Sequence, residues 1–383
     1  MDPLNHQSML KSTTRFKKAL PGRHPNPVTK MPGKFSNKLK SMLSVIVFSA
    51  LLMALSSCGP QQGSVVQAQY FNTDTGLQTG GIKIIPIKTT KGSFKVWTKR
   101  IGNNPKIKVL LLSGGPGASH EYLECFESFF PNEGIEFIYY DQLGTGNSEV
   151  PKDTSVYDLN RCVDEVEQVR KALDLNKDNF FLYGHSWGGI VAVEYALKYQ
   201  QNLKALIISD MVSSASDYNK YAKDVLANQI DPKVLSEIRE IESKGDFSNP
   251  RYMELLMPNF YAKHICRLSE WPEPLTRSFN KLNQTFYTMM QGPSEFGLSG
   301  KLSNWERKGY LSQIIVPTLT IGARYDTMDP EHMKWMASQV KNGSYLYCPN
   351  GSHMCFYDDQ KNYFRGLNKF IKGIATGEQT VKL

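Results

Sequence analysis

The chain has 383 residues, enough for one large α/β domain carrying an inserted one. Its formal charge is +9, but nine Lys/Arg against a single acid, Asp2, fall in residues 1–57, leaving 36 bases and 35 acids for the rest. The body of the chain is therefore nearly neutral, which excludes a nucleic-acid footprint there.

Residues 1–30 read as disordered, with Met31 the expected translation start. Lys34, Lys38 and Lys40 precede an apolar run over residues 42–55, shorter than the ~20 residues of a membrane span. Small residues then lead to Cys58 and Gly59. A charged region, an apolar region and a small-residue cleavage site make residues 1–57 a leader ending in a secretory signal. The cysteine at the cleavage point resembles the lipobox of bacterial lipoproteins. That resemblance implies lipidation at Cys58, export, and attachment to a bacterial membrane on its periplasmic or surface side. Gly59, by the same resemblance, favours the outer membrane. Residues 58–80, rich in Gln, Gly, Ser and Thr, read as a tether. The later cysteines (Cys125, Cys162, Cys266, Cys348 and Cys355) are odd in number and lack CxxC or His/Cys spacing. They imply neither a metal site nor a disulfide framework. One disulfide can form in an oxidising compartment, and buried free thiols are the simpler reading.

From residue 81 the pattern is that of an α/β protein. Residues 82–87 and 94–100 alternate around Lys91-Gly92-Ser93, a β-hairpin. Residues 107–112 are continuously apolar, as in a strand buried on both faces. They open into Ser113-Gly114-Gly115-Pro116-Gly117. A similar run at 136–140 ends in Asp141-Gln142-Leu143-Gly144-Thr145-Gly146-Asn147-Ser148. Residues 159–173 place Leu159, Cys162, Val163, Val166, Val169 and Leu173 at helical spacing. Next, Phe180-Phe181-Leu182-Tyr183 runs into Gly184-His185-Ser186-Trp187-Gly188-Gly189 and then into a helical stretch over 190–196. Gly-x-Ser-x-Gly alone arises by chance in roughly one chain in ten of this length. Set between a strand and a helix, it reads as a nucleophile elbow with Ser186 at its tip. Residues 203–209 form one more buried strand.

The rhythm then breaks. Residues 211–310 are polar and aromatic, with helical stretches near 218–229, 232–243, 252–264 and 274–290 and no strong strand. It resumes with strands at 318–321 and 345–348 and helices at 331–340 and 360–374. The expectation is a mostly parallel sheet with helices on both faces. Its core would span 81–210 and 311–383, with 211–310 a helical cap over the carboxyl ends of the strands, where such sheets bind ligands.

A serine hydroxyl needs a neighbouring base, oriented by a third group. On this kind of sheet the chain order is Ser, acid, His, at the ends of successive later strands. Asp326 follows the strand at 318–321, and His353 follows the strand at 345–348. Ser186 is therefore assigned as nucleophile, His353 as general base and then acid, and Asp326 as the carboxylate that fixes the imidazole. Asp329, before Pro330, reads as a helix N-cap and His332 as a surface residue. The oxyanion donors should be the backbone N–H of Trp187 and, from the Gly-rich loop, that of Gly115. A phosphate-binding reading of that loop fails for want of a P-loop lysine or GxGxxG spacing. A serine at the elbow also argues against epoxide-hydrolase and dehalogenase chemistry, which needs an aspartate there.

Ser113-Gly114-Gly115-Pro116-Gly117, Asp141 to Ser148, Gly184 to Gly189 and Gly292-Pro293-Ser294-Glu295-Phe296 together resemble the proline iminopeptidases, over about residues 80–375 and including the cap. The resemblance implies an α/β-hydrolase that releases an N-terminal residue, preferably proline, from short peptides with a free N-terminus. It implies no metal and no organic cofactor. It also gives Glu295 the task of holding the substrate amine, since a carboxylate in an apolar pocket does so by a charge-assisted bond. Two positions depart from the family pattern. Ser113 stands where members usually carry His, and Thr327 stands where several carry a second acid, a role that Glu270 could take over. Of the cap aromatics Phe260, Tyr261, Trp271, Phe286, Tyr287, Phe296 and Trp305, the last two are taken as the walls of a proline pocket. The alternatives are a capped hydrolase of other specificity, an esterase or amidase, and a non-catalytic lipid-anchored binding protein, against which three intact catalytic groups count.

Overall fold

A computed structural model describes residues 81–383. The leader and signal over 1–57, the lipidation candidate Cys58 and the tether over 58–80 lie outside the described residues. Strands β3 (Lys108–Leu112), β4 (Glu136–Asp141), β5 (Phe180–His185), β6 (Ala205–Ser209) and β7 (Thr318–Ala323) are buried along their whole length. Continuous apolar runs demand this of a sheet covered on both faces. Because successive side chains point to opposite faces, each strand feeds two layers. Val109, Leu111, Phe181, Tyr183 and Ile207 pack on one side, against the helix Gln360–Ala375 and the turns of His120–Ser128. Leu110, Leu112, Leu182, Leu206 and Ile208 pack on the other, against the helices Leu159–Ala172, Trp187–Tyr199 and Pro330–Gln339.

Eight strands form one sheet in the order β1 (Ile82–Thr89), β2 (Gly92–Ile101), β4, β3, β5, β6, β7 and β8 (Gly343–Cys348). β1 and β2 make the hairpin, and β2 runs antiparallel to β4. Every other pairing, out to β8, is parallel. The chain leaves β3 for β4 on one side and continues from β5 on the other, so the loops after β3 and β5 open into the crevice where such sheets bind ligands.

Between β6 and β7 the chain runs through the helices Ala215–Tyr221, Pro232–Ser243, Pro250–Leu256, Glu273–Asn280 and Gln284–Met290. Their apolar side chains join the clusters of the core, Ile238, Tyr252 and Leu256 on one side of the sheet and Phe286 and Met290 on the other. Two local features aim residues at the site. Pro258 has no N–H for the helical ladder, and residues Met257–Tyr261 form a π turn that ends on Tyr261. The continuous helix expected over 274–290 is interrupted at Lys281-Leu282-Asn283. Asn283 instead caps the second piece, its side chain accepting the Phe286 N–H at 3.0 Å, because a short amide competes with the helix for backbone groups. All five described cysteines are free thiols, four of them buried.

Candidate active site

Ser186 sits at φ 54°, ψ −126°, a conformation that L-residues rarely hold. The surroundings impose it. The Ser186 N–H donates to the Ser209 carbonyl at 3.0 Å, and the Ser186 carbonyl accepts the Gly189 N–H at 2.7 Å. A methyl group on Gly184 would be driven into the Gly188 carbonyl, and one on Gly188 into the Leu112 carbonyl. Both glycines of the motif are thus required by close backbone approach.

Asp326 and His353 meet behind the serine. The His353 Nδ1–H donates to Asp326 Oδ1 at 2.7 Å, and the Thr327 hydroxyl donates to the same oxygen at 3.2 Å. The other oxygen of this fully buried carboxylate, Oδ2, has no hydrogen-bond partner among the described residues. Burial alone would lower the His353 pKa. The Asp326 carboxylate, by charge and hydrogen bond, and the charge of Glu295 outweigh it and hold the imidazole above its usual 6.5. Ser186 and His353 line one cavity, with no hydrogen bond between Ser186 Oγ and the ring; such contacts commonly close only around substrate. Asp329 caps the helix Pro330–Gln339, accepting the Glu331 N–H at 2.9 Å. His332 departs from the surface position expected of it. Its ring is largely buried, with Nε2 2.9 Å from the Ser213 hydroxyl and Nδ1 3.3 Å from Asp217, and it does not reach the cavity.

The cavity encloses about 220 Å³. Gly114 and Gly115 line its core side with Ser186, and the first helical turn leaves the Trp187 N–H without an intrahelical acceptor beside the nucleophile. Sequence reasoning quoted Gln142 only as part of a motif, and the structure shows what it does. Its amide nitrogen donates to the Ser113 carbonyl at 3.2 Å, and its oxygen accepts the Trp187 indole N–H at 3.0 Å, joining the Gly-rich loop to the elbow. The Ser113 hydroxyl closes that loop on itself by donating to the Ala118 carbonyl at 3.0 Å.

Glu295 forms part of the cap side of the same cavity and is almost fully buried. Its Oε1 accepts from the Tyr287 hydroxyl at 2.7 Å, its N–H donates to the Tyr261 hydroxyl oxygen at 3.1 Å, and its carbonyl accepts from the Tyr218 hydroxyl at 2.7 Å. Burial raises its pKa above 4.5, against the opposing pull of His353 and the Tyr287 hydrogen bond. Tyr261 and Tyr287 line the cavity, whereas the two expected wall residues do not. Phe296 packs on Phe260 within the cap, with ring centroids 4.8 Å apart, and the Trp305 indole N–H donates at 2.7 Å to Glu194 on the core helix Trp187–Tyr199. From Gly292-Pro293-Ser294-Glu295-Phe296 it is Pro293 and Glu295 that line the cavity, and Phe296 turns to the packing instead. Glu270 is exposed and does not reach the cavity. Among the described residues no cluster of three or more His, Cys, Asp or Glu could hold a metal ion.

Residues 108–360 match the family described as alpha/beta hydrolase fold. A proline iminopeptidase of Flavobacterium johnsoniae is 60% identical over 291 residues, covering 76% of this chain and 98% of that protein. One of Chitinophaga pinensis is 57% identical over 293 residues, with 76% and 98% covered. The crystal structure of the Mycobacterium smegmatis proline iminopeptidase superposes with a TM-score of 0.68 at 24% identity, over 77% of this chain and 99% of that one, a likeness of fold. With the elbow, the eight-stranded sheet and the matched relatives together, the chain belongs to the proline iminopeptidase family of α/β-hydrolases.

Proposed function

We propose that this chain is a serine exopeptidase, a prolyl aminopeptidase that releases an N-terminal residue, preferably proline, from short peptides. Ser186 Oγ attacks the first peptide carbonyl while His353 Nε2 takes its proton, and Asp326 stabilises the imidazolium that forms. The N–H groups of Trp187 and Gly115 hold the oxyanion. His353 returns the proton to the leaving amine, and a prolyl ester on Ser186 remains, which water hydrolyses by the same route. Glu295 holds the free amine of the substrate and so sets the length of the fragment released at one residue.

The observation that carries this reading is the carboxylate of Glu295, a buried acid across the same small cavity from Ser186 and His353. A buried carboxylate without a cationic partner is costly, and a protonated substrate amine supplies that partner. The test is a panel of aminoacyl-naphthylamides set beside N-blocked proline and simple esters. Free proline should be preferred, and equal cleavage of free and blocked proline would end the aminopeptidase reading in favour of an esterase or amidase. No reaction of Ser186 with a fluorophosphonate would remove both enzyme readings.

The proposal extends to location, where the support is the signal and lipobox pattern alone. The chain is exported and held on a bacterial membrane by lipid at Cys58. No helix among the described residues is long and apolar enough to cross a membrane. Cys58→Ser should move the protein from the membrane to the soluble fraction, and unchanged fractionation would refute the anchor.

A further inference from the structure

Three loops meet at Ser186: the Gly-rich loop after β3, the elbow after β5 and the His353 loop after β8. A single file of hydrogen bonds runs through all three. The Gly114 N–H donates to the Tyr122 hydroxyl oxygen at 2.6 Å. Tyr122 Oη lies 3.0 Å from His185 Nδ1, and His185 Nε2 lies 2.9 Å from the His353 carbonyl oxygen. The direction of the file is fixed by its ends, because a backbone N–H can only donate and a carbonyl can only accept. The Tyr122 proton therefore points to His185 Nδ1, and the imidazole carries its own proton on Nε2. Both ionisable members stay neutral for the same reason. Burial holds the Tyr122 phenol far above its usual range, and burial, with the nearby His353, pushes His185 well below 6.5.

The file is placed to set distances between reacting groups. A methyl on Gly114 would lie 3.0 Å from Ser186 Cβ, so a shift of this loop is felt directly at the nucleophile. The neighbouring Gly115 supplies an oxyanion donor in the function proposed above. At the other end, the His353 carbonyl belongs to the residue that must receive the serine proton, and its N–H is separately tied to the His264 carbonyl at 2.9 Å. We propose that Tyr122 and His185 are positioning residues that lock the oxyanion loop and the general-base loop in register around Ser186. Neither takes up or releases a proton during turnover. This inference rests on the serine-hydrolase reading of the site but not on the preference for proline.

The test uses the full chain and three variants, Tyr122→Phe, His185→Phe and the double substitution. Each keeps the ring volume and removes polar atoms. The readouts are the rate of Ser186 phosphonylation by a fluorophosphonate and the steady-state constants on a simple ester and on prolyl-naphthylamide. Each single variant should lower the phosphonylation rate and kcat by about tenfold to a hundredfold, with KM nearly constant, because the loss is one of alignment. The double variant should lie close to the worse single one, because one broken link already opens the file. His185→Gln, whose amide can both accept from Tyr122 and donate to His353, should recover part of the loss. Single variants that label as fast as the parent, losses that multiply in the double variant, or a glutamine no better than phenylalanine would each overturn the proposal. A parent chain that is phosphonylated but leaves prolyl-naphthylamide uncut removes the prolyl reading and leaves this one standing.

Discussion

On the core wall of the cavity, Ser186 is held at φ 54° by backbone groups and by two glycines packed against neighbouring carbonyls. On the cap wall, Glu295 is held by the hydroxyls of Tyr218, Tyr261 and Tyr287, drawn from three separate helical segments. The first arrangement is fixed by steric exclusion within one strand–turn–helix unit and tolerates no side-chain change at Gly184 or Gly188. The second is a polar network whose members reach the site from far apart in sequence. The contrast marks a division: the core wall bears the groups assigned to bond breaking in the proposed function, and the cap wall bears the carboxylate assigned to the substrate amine.

That division can be broken or sharpened by substitution. Ser186→Ala should show the largest effect, a loss of about 10⁶-fold in kcat on esters and peptides alike, measured by steady-state hydrolysis. Asp326→Asn comes next, with about 10⁴-fold lost on both substrate types, because the amide orients the imidazole wrongly. Either variant acting on peptides alone would contradict a substrate-blind core wall. On the other wall, Glu295→Gln should reduce kcat/KM for prolyl-naphthylamide by roughly tenfold to a hundredfold, the worth of one charge-assisted bond, and leave a neutral ester within about threefold. Equal loss on both substrates would falsify the role given to Glu295.

Smaller effects follow from the two shifted groups. His353 must be neutral to accept the serine proton, and its pKa is raised, so kcat/KM for an ester should fall with acid through a midpoint above 6.5. A pH–rate profile with its acid limb below 6.5 would contradict the ion pair with Asp326. Glu295 has a folded-state pKa above its unfolded value, so the folded state binds that proton more tightly. Its stabilising contribution is therefore full in acid and is lost as pH rises through the folded pKa. Glu295→Gln should accordingly raise Tm at pH 8, by roughly 2 °C, and leave it nearly unchanged at pH 4. Thermal scans at the two pH values check this, and a Tm that falls at pH 8 would show the carboxylate to be stabilising.

Much of the core was legible because its signals are local. Continuous apolar runs gave the strands from 107 to 209 to within a residue or two, since a strand buried on both faces has no other composition available to it. Ser186 and Asp326 follow strands buried on both faces and His353 follows the half-buried edge strand β8, and β7 and β8 bring the last two to a 2.7 Å contact. The cap was less readable. Its aromatic residues recur at helical spacing, and that pattern does not distinguish a ring facing the cavity, as in Tyr287, from one facing the packing, as in Phe296. His332 was misplaced for a related reason: its position at a helix start is visible in sequence, but the Ser213 and Asp217 side chains that enclose it are more than a hundred residues away.

The strands, the strained serine and the order of the three groups behind the proposed chemistry are written into the chain, because they follow from hydrophobic period and from glycine at fixed spacing. Which cap residues line the cavity, what Gln142 joins, and that Tyr122 and His185 link the three loops around Ser186 emerge only from the folded chain. Those relations are hydrogen bonds between side chains distant in the chain, and no local pattern encodes them.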